Sequence, residues 1–136
     1  GSRSVDWSMN FLERALLTDS RHVPDLSRSR QDRRIESVIS HISQHLAEPM
    51  GVAKLASLTL LSPSRFAHLF REVTGLTPQR FIERRRLERS VELLESTQLT
   101  VKEIAHAVGF KSQFYLSLRF KRAFGVAPTH FRQERS

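Results

Sequence analysis

The chain has 136 residues, enough for one or two small cores and too few for a large enzyme. Hydrophobic residues make up 39% and charged residues 26%, a globular balance, and the absence of cysteine removes disulfides, thiol catalysis and cysteine-based zinc sites. The net charge of +8 is unevenly placed: residues 1–48 carry seven basic and seven acidic side chains, whereas residues 49–136 carry fifteen and seven. A compact basic half suits a polyanion, nucleic acid first and an anionic membrane second. A basic protein with no polyanion ligand would look the same by charge alone. No apolar run approaches ~18 residues, so no membrane partner is expected; no secretory leader is visible, and Gly1-Ser2 reads as a tag scar.

In chain order, Val5, Met9, Leu12 and Leu16 alternate steps of four and three, which predicts a short coiled-coil-like helix over Val5–Leu17. Asp19–Arg33 is polar, rich in Ser and Arg and interrupted by Pro24, and reads as a flexible linker. Ile35, Val38, Ile39, Ile42 and Leu46 then form one apolar helical stripe that ends before Pro49. Ser62-Pro63, Thr77-Pro78 and Ala127-Pro128 each put proline at a first helical position, the turn that tolerates it. Thr100 with Glu103 is a capping box, and Gly75 and Gly125 sit where helices should stop. No strand-like alternation occurs, so the fold class is all-α.

The stretch from Leu61, LSPSRFAHLFREVTGLTPQRF, has a second copy from Lys111, KSQFYLSLRFKRAFGVAPTHF. At an offset of fifty, Ser62, Phe70, Gly75, Pro78 and Phe81 meet Ser112, Phe120, Gly125, Pro128 and Phe131. The preceding short segments, Val52–Ala56 and Val101–Ala105, match at an offset of forty-nine, so the second turn is one residue longer. Each copy reads as a short helix, a tight turn and a second capped helix, which is helix-turn-helix organisation. The boundaries are about 52–75 for the first unit and about 100–125 for the second, with a joining helix over 78–95. At ~1.5 Å per residue that joining helix is roughly 27 Å long, near the ~34 Å that separates successive major grooves on one DNA face.

These residues resemble the AraC/XylS family of transcription regulators, over about Arg34 to Arg135. The resemblance is strongest in IAHAVGF, YLSLRFKRAFG and APTHFR, and LSPSRFAHLFRE is particularly similar to the arabinose-operon regulators. It implies a seven-helix DNA-binding domain over 34–136, with two helix-turn-helix subdomains and a central linker helix. Residues 1–18 would then be the tag scar and the end of a dimerisation domain, 19–33 the linker, and the sugar-sensing domain would be missing. It also implies double-stranded DNA and RNA polymerase as partners and no cofactor. The full-length protein would be a homodimer, a piece of this length a monomer, and the setting the bacterial cytoplasm, at the nucleoid. It further implies regulation of a sugar-catabolism operon in answer to a sugar sensed by the missing domain, with a non-sugar effector and stress or virulence genes as the alternative.

In the first recognition helix Phe66, Leu69, Phe70 and Val73 follow core spacing, so Ser64, His68 and Arg71 point the other way with Arg65 on a flank. Such side chains suit base edges and phosphates. The resemblance puts base contacts at Ser64 and His68; a plain solvated face is the alternative. In the second, Leu116, Phe120, Ala123 and Phe124 form the core face, so Phe114, Leu118 and Lys121 point outward, with Gln113 and Ser117 near the same groove. Against the family pattern Leu118 and Arg119 look exchanged. Two outcomes follow: Leu118 touches thymine methyls, or the helix is rotated so that Arg119 returns to the groove. Arg119, Lys121 and Arg122 are expected on phosphates. Gly109 occupies a turn position suited to a left-handed backbone, where the first copy has Leu60, so that turn is strained or differently shaped. In Arg84-Arg85-Arg86, Arg86 is expected to be packed and paired, while Arg85 and Arg89 should pair with Glu88 and Glu92.

Rival functions find less support. His41 and His45 have metal-ligand spacing, but HISQH lacks the glutamate of a zinc protease motif, and both flank an apolar stripe. No phosphate loop, nucleophile elbow or carboxylate pair is present, so no enzyme activity and no metal are expected. A protein-interaction module would leave the basic repeat unexplained. RNA modules would need sheet-borne stacking aromatics.

Overall fold

A computed structural model describes residues 26–135, with side chains from Arg30 onward. The seam expected over Val5–Leu17 and the start of the expected linker lie outside the described residues. The described residues form seven helices and no strand: α1 Leu26–Gln44, α2 Val52–Ser57, α3 Pro63–Thr74, α4 Pro78–Ser96, α5 Val101–Val108, α6 Gln113–Phe124 and α7 Pro128–Glu134. Since α1 starts at Leu26, residues 26–33 are helical rather than part of a flexible linker. Serine and arginine content suggested a linker, but no proline or glycine follows Pro24 to break a helix, and Arg and Gln favour one.

Two compact units divide these residues. One comprises α1 with His45 and Pro49–Ile82, the other residues 83–135 with Leu46–Glu48. Each is built around the same local grammar. At α3 the Ser62 hydroxyl accepts the Arg65 N–H at 3.2 Å and Pro63 takes the first helical position; at α6 the Ser112 hydroxyl accepts the Tyr115 N–H at 3.1 Å. Both helices run twelve residues and stop at a left-handed glycine, Gly75 (φ 82°) or Gly125 (φ 83°), whose N–H returns to the carbonyl of Arg71 or Lys121 at 2.8 Å. Such caps satisfy backbone groups that a helix end leaves without partners.

The cores repeat as well. In the first unit Phe66, Phe70 and Phe81 are buried with Ile35, Val38 and Ile42, and the Phe70 ring meets Phe81 edge-on at 5.2 Å. In the second, Phe120 meets Phe131 edge-on at 5.7 Å over Leu116, Ile104 and Val108. Each such phenylalanine contributes about 1.5–3 kcal/mol by leaving water. Thus the apolar pairs at an offset of fifty hold each long helix against the start of the helix that follows.

The turns differ. The capping box at α5 is complete: Thr100 Oγ1 accepts the Glu103 N–H at 3.1 Å, and Glu103 Oε1 accepts the Thr100 N–H at 2.9 Å. The second hydrogen bond holds the Glu103 carboxyl below the usual carboxylate range. At α2 the equivalent cap is Gly51, with no side-chain hydrogen bond. Gly109 (φ 99°) ends α5, and a Cβ there would overlap the Leu46 carbonyl oxygen and lie 2.8 Å from Arg86 Nε. Its counterpart Leu60 adopts φ 64°, a left-handed backbone unfavourable for leucine, and is 90% exposed, while α2 has already stopped at Leu58 in a right-handed conformation, so that turn is both strained and differently shaped.

Two arginines close the second unit. Arg86 is packed, as its stripe predicts, but its partners are carbonyls: Nε donates to Leu46 O and Nη2 to Glu48 O, both at 3.0 Å. Burial lowers its pKa from the ordinary value. Arg132 of α7 spreads over the end of α4, donating to the carbonyls of Leu93 (3.5 Å), Leu94 (3.2 Å), Thr97 (3.2 Å) and Leu99 (2.6 Å). These include last-turn carbonyls that have no acceptor role left within a helix.

Candidate nucleic-acid interface

On α3 the buried face is Phe66, Leu69 and Phe70, with Val73 half-buried, so Ser64, His68 and Arg71 share the outward face and Arg65 is exposed beside them. His68 Nε2 lies 3.1 Å from Glu72 Oε1, one turn along on the same face. Glu72 was not among the expected site residues, although its spacing from His68 would have found it. The face therefore combines a hydroxyl, an imidazole oriented by a carboxylate, and one or two guanidinium groups. Such a set offers both donors and acceptors to base edges.

α6 presents something else. Leu116 and Phe120 are buried, Ala123 and Phe124 partly so, and Phe114 (77% exposed) and Leu118 (57%) stand outward. Gln113 and Ser117 are half-buried beside them, and Lys121 and Arg122 are exposed. Tyr115, also exposed and 5.9 Å from the Phe110 ring, completes an apolar patch. It was missed in the sequence, where carrying the Arg65 flank across the repeat would have located it.

Arg119 is placed differently from the expectation. Its Nη2 lies 2.7 Å from Glu83 Oε2 on α4, and this pairing raises its pKa. It occupies the position that buried Leu69 holds in the first copy, at the edge of the core. A guanidinium held by a partly buried carboxylate is oriented toward its own fold, which sets Arg119 apart from the exposed Lys121 and Arg122. The helix is not rotated to bring Arg119 outward; Leu118 keeps the outward position.

The remaining candidates settle into structural roles. Arg85 lies 3.7 Å from Glu88 and Arg89 2.6 Å from Glu92, the helical pairs expected of them. His41 and His45, both half-buried, stack ring on ring at 4.3 Å. Among the described residues no three acidic or histidine side chains converge as metal ligands, and no helix is long and apolar enough to cross a membrane.

Two helix-turn-helix units with outward-facing recognition helices define the class, and comparison with known proteins agrees. Residues 55–134 match the family model described as a helix-turn-helix domain. The chain is 32% identical over 126 residues to the arabinose operon regulatory protein of Escherichia coli K12, covering 92% of this chain and 43% of that protein. It is 34% identical over 104 residues to the transcriptional activator RhaS of Escherichia fergusonii, covering 76% of this chain and 37% of that one. Among solved structures, the DNA-binding domain of the global transcriptional factor AdpA, in complex with a target DNA, superposes with a TM-score of 0.72 at 30% identity, over 74% of this chain and 90% of that one. The chain belongs to the AraC/XylS family and carries its helix-turn-helix DNA-binding domain. It spans less than half the length of these full-length relatives, which are transcription regulators.

Proposed function

We propose that this chain binds double-stranded DNA sequence-specifically, α3 and α6 each entering a major groove, with a site that is asymmetric and covers about two helical turns. The observation that carries the reading is the repeated capped helix whose core face is conserved between copies while its outward face carries Ser64, His68 and Arg71 in one and Phe114, Leu118, Lys121 and Arg122 in the other. A relative solved on its target DNA supports it. In this reading α3 reads base edges through Ser64, His68 and Arg71 with Arg65 at the side, and Lys121 and Arg122 bind phosphates. It assigns the chain no catalytic role, cofactor or membrane partner.

The longer protein would regulate transcription in the cytoplasm, as a homodimer in contact with RNA polymerase, while this chain by itself is a monomer. The arabinose and rhamnose-type names of its relatives favour a sugar-catabolism operon answering to a sugar bound outside this chain; a non-sugar effector is the alternative. Residues 34–136 would be the DNA-binding domain, with the helical start at Leu26 extending it. Selection of bound duplexes from a random pool tests the reading. The expected result is an asymmetric consensus of about two turns, with affinity falling steeply as salt rises. Enrichment by base composition alone would overturn it.

A further inference from the structure

Large apolar side chains left in water are few here, and they cluster. Among the described residues they are Leu58, Leu60, Phe114, Tyr115 and Leu118, and three of these five lie together on the outer face of α6. Phe114 and Leu118 are one helical turn apart, at the positions that Ser64 and His68 occupy in the first copy. Neither can donate or accept a hydrogen bond, so neither can read a base edge as Ser64 or His68 can. The one apolar feature that a base pair shows in the major groove is the C5-methyl group of thymine.

Two further observations favour DNA over a protein as the occupant of this patch, and a third fixes which residues form it. It lies on the second helix of a helix-turn-helix unit. Exposed Lys121 and Arg122 sit one turn further along the same helix, where a polyanion would lie against them. The Arg119–Glu83 ion pair ties α6 to α4 in the azimuth that keeps Leu118, and not Arg119, outward. Resting on the DNA-binding reading above, we infer that Phe114 and Leu118 read thymine C5-methyl groups in the half of the site under α6. That half is selected by apolar contact, the other by hydrogen bonds.

The test uses the native chain and a duplex selected by it from a random pool. The half under α6 is located by strand cleavage from a chelate on Lys111→Cys, which is the sole cysteine of that variant. Replacing thymine by deoxyuridine removes only the methyl group. Each replacement at a contacted position under α6 should weaken binding about fourfold, the transfer value of one such group, and replacements under α3 should have much less effect. Phe114→Ala with Leu118→Ala should bind the thymine and deoxyuridine duplexes equally, whereas His68→Ala should keep the difference. Leu118→Arg, with Arg119–Glu83 left in place, should exchange a selected thymine for guanine. The inference is overturned by a selected α6 half without thymine, or by deoxyuridine duplexes bound as tightly as native. It is equally overturned if the double alanine variant keeps full DNA affinity, which would hand the patch to a protein partner. A chain that enriches no sequence would overturn the DNA-binding reading itself, and this one with it.

Discussion

The two recognition helices have the same length, the same caps and the same inward phenylalanine, yet they show opposite chemistry to the outside. α3 turns out Ser64, His68 and Arg71, with His68 held by Glu72. α6 turns out Phe114 and Leu118, and where α3 has Glu72 it has Arg122. A duplicated core evidently constrains only the inward third of a helix. The outward positions are free to diverge because no packing term penalises the change, so two copies of one fold can acquire two modes of recognition.

The contrast can be broken first at the turns. Gly109→Ala must strain a left-handed backbone and push into Leu46 and Arg86, so thermal or urea unfolding should show a loss of about 2–4 kcal/mol. Leu60→Gly, at the matching position of the other unit, should do the reverse and stabilise by about 0.5–1 kcal/mol, since nothing but strain holds that exposed residue. Next come the working faces. His68→Ala or Arg71→Ala should cost about 1–3 kcal/mol of DNA affinity and relax the consensus beneath α3. Lys121→Ala should weaken all sequences alike and reduce the salt slope by about one. Equal loss of specificity from both would erase the difference between the helices.

A smaller effect belongs to the ion pair that orients α6. A double-mutant cycle on Arg119→Ala and Glu83→Ala should return a coupling of about 1 kcal/mol in stability, and a coupling near zero would mean the pair does not fix the helix. The smallest concerns the short helices. The Glu103 carboxyl titrates below its unfolded value, so its contribution is complete above that value and disappears as pH falls through the folded one. Acid should therefore fray α5 and not α2, which starts at Gly51 without a side-chain cap. Hydrogen exchange across pH would show it, and Glu103→Gln should flatten the response.

What was legible in the sequence was local or repeated. Ser62, Thr100 and Ser112 act within three residues of themselves, and the phenylalanines declare their faces by spacing, so caps, core and the two-unit fold could be read directly. What escaped was held by distant partners. The ion pair of Arg119 went unseen because nothing near it in sequence reveals Glu83, thirty-six residues away. Arg132 belongs to a recognised motif, yet its role in binding the carbonyls at the end of α4 depends on contacts across 33–39 residues. The start of α1 was misjudged for a different reason: composition suggested a linker where only the absence of breakers mattered.

Arg132 and Phe131 also impose an order in time. The first unit has all its buried phenylalanines once Phe81 has been synthesised. The second lacks both the Phe120–Phe131 ring pair and the cover for the α4 carbonyls until α7 has been made. On the ribosome, then, the first unit can close and stand folded while the second is still open behind it.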